Sequence, residues 1–184
     1  MSLDDTAVLN PAVGHYFYAP SVGQAKPTDP LAPASPWVDL GHTSLDSPFG
    51  ITSDGGDTKT LGTWQNKALR NIHEARVESI TFELKQWDAT TLKLYYGSNA
   101  TVNGTDGSIQ TPATPEETVG SLYVLVTDGD EQIAFYFPSV SIYRADDISF
   151  DAEDLAGLPV RATVLGQSDS DWMFEITPKG ALAS

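Results

Sequence analysis

Residues 76–87, RVESITFELKQW, decide the fold class. In an extended chain Ile80, Phe82 and Leu84 share one face, and Thr81, Glu83 and Lys85 share the other. A helix would instead turn Phe82 away from Ile80 and Leu84, so the stretch predicts a half-buried strand. Asp88 follows with the short carboxylate of an N-cap. Ala89, Leu92 and Tyr96 then form an apolar helical stripe, with Tyr95 beside it and Gly97 placed to end the turn. No other stretch predicts a convincing helix.

Upstream, residues 15–19 (HYFYA) predict a short aromatic strand bracketed by Pro11 and Pro20. Residues 20–36 hold five prolines and predict an extended loop with little power to pack. A second strand is expected at 37–40, a turn-rich stretch at 41–56, and a third strand or ordered arm at 58–65. Downstream, 98–118 is polar and reads as loop. Residues 122–127 and 132–137 flank an Asp-Gly turn and predict a hairpin. Further strands are expected at 139–143 and 148–150, then an acidic turn or short helix at 151–154. A closing hairpin is expected from 160–165 and 172–177 around residues 168–171. About eight short strands, one helix and no repeat predict a single, mainly β domain, a sandwich or half-barrel with the helix across one open side.

The 184 residues carry 25 acids and 10 bases, a formal charge of −15. Residues 1–92 contribute −5 and residues 93–184 contribute −10, with no base between Lys93 and Arg144. Such a chain repels polyphosphate, which argues against ordinary nucleic-acid binding. Hydrophobic residues reach 40%, too many for a disordered acidic chain. There is no cysteine, hence no disulfide, thiolate metal site or thiol nucleophile. No base precedes Lys26, so no secretory leader is expected, and no apolar run approaches membrane-span length. These features predict a soluble protein used where it is made.

Catalytic patterns are missing. His15, His42 and His73 lie in separate segments without metal-ligand spacing, and no phosphate-cradling glycine loop or nucleophile elbow occurs. Asp146, Asp147, Asp151, Glu153 and Asp154 offer oxygen ligands of the kind calcium takes. They lack the spaced loop and distal Glu, so a solvated acidic connection is the plainer reading. Asn99 and Asn103 head sequons that read as polar loop. No enzymatic activity, metal or cofactor is expected. Trp87 and Trp172 are expected to anchor the core, whereas Trp64, alone in a polar segment, fits a partner surface as well as a core.

Residues 10–20 (NPAVGHYFYAP), 37–56 (WVDLGHTSLDSPFGITSDGG), 59–65, 77–96 and 160–178 (VRATVLGQSDSDWMFEITP), in that order, resemble the major tail tube protein of long, non-contractile-tailed bacteriophages. The likeness is to the versions from actinobacterial phages (siphoviruses) and covers nearly the whole chain. It implies a β-sandwich or half-barrel subunit that closes into hexameric rings, which stack into a hollow tube for genomic DNA. It also implies an excursion at 41–75 reaching the adjacent ring, and contacting arms at 1–13 and 178–184. On that basis Phe49, Ile51, Leu61 and Trp64 are candidate inter-ring contacts, and the excursion is expected to order when rings stack. The implied partners are copies of the chain itself and the tape-measure, tail-terminator and distal tail proteins. The implied location is the virion tail, after synthesis in the host cytoplasm, with no membrane partner.

Thr81, Glu83 and Lys85 either line the lumen or face outer solvent, since alternation does not distinguish the two. In the lumen, Lys85 would repeat as a ring of positive charge unless an acid pairs with it. Two other classes fit a β-rich chain: a carbohydrate-binding or adhesion β-sandwich with an exposed aromatic platform, and a hydrolase with scattered carboxylates. Neither accounts for the long polar excursion.

Overall fold

Alternation forms a strand over residues 76–84, three residues short of the expected 87, and the cap expected at Asp88 starts the helix that follows. The computed structural model describes residues 8–168 and 170–181. The terminal arms expected at 1–13 and 178–184, and the turn expected at 168–171, therefore lie partly outside the described residues. In chain order the elements are β1 (Val13–Ala19), β2 (Val38–Asp39), β3 (Gly50–Gly55), β4 (Thr58–Leu61), β5 (Arg70–His73), β6 (Arg76–Leu84), α1 (Ala89–Tyr96), β7 (Thr101–Val102), β8 (Ile109–Gln110), β9 (Thr118–Asp128), β10 (Glu131–Arg144), β11 (Leu158–Val164) and β12 (Glu175–Ala181). Eight strands make one antiparallel sheet in the order β2-β1-β9-β10-β11-β6-β3, with β12 also paired to β10.

That sheet curls into a half-barrel around its apolar face. Tyr16 of β1 stacks on Phe82 of β6 at 4.9 Å, although three strands separate them in the sheet. The chain after β2 closes the gap. Asp39 pairs with Phe17 of β1, and Thr43 bridges to Leu84 of β6. The amides of Ser44 and Lys85 bond to Glu83 and His42 carbonyls at 2.9 and 2.8 Å. Helix α1 covers the open side with Leu94 and Tyr95 in the same core as Leu84, Ile142 and Leu158. Each such large apolar side chain contributes roughly 1.5–3 kcal/mol by burial. The helix starts where the sequence places it: Asp88 Oδ1 accepts from the Thr90 and Thr91 amides at 2.8 and 2.9 Å, and Thr91 Oγ1 accepts from the Asp88 amide.

Several expectations are corrected. Residues 131–144 form one strand through Pro138, not two. The register shifts between Phe137 and Val140, where Pro138 has no amide to donate. Opposite this bulge stands Gly120, where a Cβ would lie 2.3 Å from the Ala19 carbonyl oxygen. The bend also removes the expected closing hairpin: β12 pairs with the first half of β10 and β11 with the second, so these two strands never pair with each other.

The proline-rich stretch packs. Trp37 is buried against Tyr123 and Tyr136, and its Nε1 donates to the Ala25 carbonyl at 3.1 Å. The Gly23 amide reaches Pro138 O at 2.7 Å, and Tyr136 donates its hydroxyl to Gln24 O at 2.5 Å. The loop's own side chains are poor anchors, as the sequence says; its backbone carbonyls and the flanking tryptophan hold it. It covers a second apolar face made by Phe17, Ala19, Tyr123, Leu125, Ala134 and Tyr136.

Residues 148–150 are not a strand, whereas 151–154 form the expected acidic turn rather than its short-helix alternative. Trp87 and Trp172 are half exposed, so Trp37 is the tryptophan that anchors the interior. Within the polar stretch 98–118, β7 and β8 form a small hairpin.

Candidate functional site

Strands β3 and β6 form a hairpin whose far end continues as β4 and β5 beyond the body. At the joint, Gly55 and Gly56 take φ of 85° and 78°, a conformation that L side chains rarely adopt. A Cβ on Gly55 would lie 2.9 Å from the Ala75 carbonyl. Every residue from 57 to 77 is exposed. Of the segment expected as an excursion at 41–75, residues 57–75 belong to an exposed, projecting two-stranded arm, while residues 42–44 and 50–55 pair along the β6 segment of the sheet.

Its register sorts its side chains into two faces. Lys59 pairs with Ile72 and Leu61 with Arg70, which puts two bases and two aliphatics on one face. The other face is polar and knitted: Thr58 Oγ1 meets His73 Nδ1 at 2.9 Å, and Thr60 Oγ1 donates to Asn71 Oδ1 at 2.9 Å. At the tip, Thr63 and Asn66 close the turn through a 2.7 Å backbone bond. Trp64 stands there 97% exposed. Residues 58–73 hold three bases and no acid in a chain of charge −15.

Of the four candidate inter-ring contacts, Leu61 and Trp64 lie on this arm. Ile51 lies at its root on β3, opposite Ile80. Phe49 lies off the arm, just before β3, and is half buried, with rings of Tyr16 and Phe135 at 6.3 and 5.0 Å.

Thr81, Glu83 and Lys85 share the face of β6 turned from the core. Lys85 Nζ lies 2.9 Å from Glu83 Oε1 and donates to the Leu155 carbonyl at 2.5 Å, leaving their side chains 11% and 23% exposed respectively. The positive charge at Lys85 is thus paired with an acid. Thr81 is exposed, beside Arg161 of β11, and Arg161 reaches Asp54 of β3 at 3.3 Å. The face is rich in hydroxyls and carries its charges as internal pairs.

A second exposed surface carries no alternating signal in the sequence. In the loop 145–157, Phe150 is 76% and Leu155 74% exposed, and the Phe150 ring lies 5.5 Å from Trp87. The loop is held in place. Tyr95 donates its hydroxyl to Asp146 O at 2.7 Å, and Trp87 Nε1 donates to Ala156 O at 3.1 Å. Burial raises the Tyr95 phenol above its ordinary pKa, while Arg144 over its ring opposes that shift. The five acids of this loop form no group of three or more metal-ligating side chains among the described residues.

A third feature ties the chain's ends to the β9–β10 turn. The Asn10 amide donates to Asp128 Oδ2 at 3.0 Å, and Lys179 Nζ lies 2.6 Å from Glu131 and 3.4 Å from Asp128. The Asn10 amide, and then Lys179, hold the Asp128 carboxyl below its usual range. Glu131, and then Asp128, raise the Lys179 ammonium above its own.

Strands β3 and β12 each have one strand neighbour among the described residues, so the sheet ends in open edges. Open edges, an exposed projecting arm and an exposed apolar patch suit a protein that meets other chains by its surface. The chain belongs to the phage tail tube protein family, which it matches over residues 1–180. It is 35% identical over 191 residues to the major tail protein Gp23 of Mycobacterium phage L5, covering 95% of this chain and 94% of that one. It is 34% identical over 200 residues to the major tail protein Gp23 of Mycobacterium phage D29, covering 98% and 99%. It is a structural component of the virion tail.

Proposed function

We propose that the chain closes into hexameric rings, and that the rings stack into the tube through which genomic DNA leaves the particle. The observation that carries this reading is the arm at 57–77, exposed throughout and tipped by Trp64. An isolated subunit gains nothing from ordering such a ribbon, because fixing each residue costs about 1–2 kcal/mol of backbone entropy. Contacts with a neighbouring ring offset that cost, with Leu61 and Trp64 as anchors and Ile51 at the root. The excursion of 41–75 belongs to one domain spanning 1–184, and the segments near the two ends contact neighbours. Synthesis takes place in the host cytoplasm. The tube meets the tape-measure, tail-terminator and distal tail proteins at its core and ends. DNA passes without specific binding, past the face that carries Thr81, Glu83 and Lys85.

Electron microscopy of purified tails tests the reading. Sixfold rings stacked along the tail, with this chain in hundreds of copies, are expected. Tails holding only a few copies would end it. Trp64→Ala should reduce stacking while the half-barrel stays folded.

A further inference from the structure

We propose that the Lys59–Leu61–Arg70–Ile72 face of the arm, with Trp64 at its tip, seats on the Trp87–Phe150–Leu155 patch of a second copy of this chain. The inference rests on the reading that the arm contacts a neighbouring ring, and it identifies the surface that receives it.

Chemistry matches the two surfaces. The arm presents bases flanking exposed aliphatic and indole groups, with no acid in residues 58–73. Residues 145–157 present exposed Phe150 and Leu155 among five acids, with no base. An apolar centre framed by opposite charges gives both burial and register. The receiving loop is also preformed, pinned by Lys85 and Trp87 to the Leu155 and Ala156 carbonyls. Docking therefore orders little besides the arm.

Geometry makes the contact intermolecular. The arm leaves at the Arg76 end of β6, while the patch lies at the Leu84 end, where Trp87 and Leu158 stand. Eight residue steps of strand separate these ends by about 26 Å, and the arm extends beyond the body for up to about 23 Å more. Its own patch is out of reach. A knob at one end and its seat at the other make a head-to-tail contact, which propagates from copy to copy instead of closing on itself.

The chain has no cysteine, so engineered pairs report cleanly. Gln65→Cys with Ala152→Cys, in tails assembled from the full chain, should give a disulfide-linked ladder on a non-reducing gel. Either single variant should run as monomer. Arg70→Glu should lower tail yield by at least about tenfold, and Glu153→Arg in the same chain should restore it. Phe150→Ser, at an exposed site, should match the Arg70→Glu loss with unchanged circular dichroism. Absence of the 65–152 crosslink, with Trp64→Ala and Arg70→Glu still blocking assembly, would leave the arm's role standing and overturn this seat. Phe150→Ser tails that assemble normally but lose binding to host cell-wall glycan would make the patch a sugar platform and also overturn it. Wild-type yield from Trp64→Ala and Arg70→Glu would overturn the arm reading and this inference together.

Discussion

Tyr16 stacks on Phe82 at 4.9 Å, the contact by which β1 meets β6, four places along the sheet. Tyr16 also donates its hydroxyl to the Pro48 carbonyl, and burial raises its phenol pKa well above normal, so it stays a donor. This pair holds the curl shut. Phe82→Ala should destabilise the subunit by about 3–5 kcal/mol in denaturant unfolding. A double-mutant cycle with Tyr16→Leu should show coupling of about 0.5–1.5 kcal/mol. Additive effects would mean that the two sides of the barrel are held independently.

Trp37 should govern the proline-rich loop. Replacing it with Ala removes the Nε1 bond to Ala25 and the ring against Tyr123 and Tyr136. A loss of about 3–5 kcal/mol is expected, typical of a large aromatic truncated in a core. Hydrogen exchange at the Gly23 amide, bonded to Pro138 at 2.7 Å, should accelerate more than exchange in β11. Equal acceleration at both sites would show that the loop is held by something other than Trp37.

These two residues also mark how far the sequence could be read. Phe82 was legible because its strand is wet on one side, so alternation reveals its face. The cap at Asp88 and the Asp-Gly turn were legible because their signals are local. Trp37 was not, because its partners lie about a hundred residues away on strands that are apolar on both faces, where alternation gives no signal. The strand through Pro138 was hidden by its proline, which marks a bulge here where a boundary was the simpler expectation. The arm's two faces needed the register of Lys59 with Ile72, which no spacing in 58–65 alone fixes. The Phe150 patch needed the loop's fold, since a lone aromatic among acids reads equally well as a strand.

The clasp at Asp128 should make the ends of the chain sensitive to acid. Its carboxyl is held below its unfolded value of about 3.9, so its contribution is present above that pH and lost as pH falls through the folded pKa. Lys179 is raised, so its contribution is full below about 10.4 and lost as pH rises through its folded pKa. Stability from this cluster should be flat between about pH 5 and 9 and fall outside that window. Asp128→Asn should flatten the acid limb, with the Ala12 amide, bonded to Thr127 O at 2.9 Å, as the exchange probe. An unchanged acid limb in that variant would remove Asp128 from the clasp.

If the outer face of β6 lines the lumen, Thr81 is the residue at which to change its charge. Glu83→Lys would set two ammonium groups together beneath the Leu155 carbonyl, where Lys85 is 11% exposed, and would mix folding with field. Thr81 is exposed, and the neighbouring charge on Arg161 is already paired with Asp54. Thr81→Lys therefore adds one uncompensated positive charge per subunit, repeated around every ring. Duplex DNA carries one negative charge per roughly 1.7 Å of axis, and phosphates neutralised by a wall release counterions and bind. The present face, hydroxyls with self-paired charges, offers no such hold. The variant should assemble tails of normal length and eject DNA more slowly. The slowing should be greatest at low salt and fade as the screening length shrinks towards about 8 Å at physiological ionic strength. Triggered ejection followed by dye fluorescence measures this directly. Wild-type kinetics at low salt, in tails of normal length, would place Thr81 outside the channel and assign this face of β6 to outer solvent.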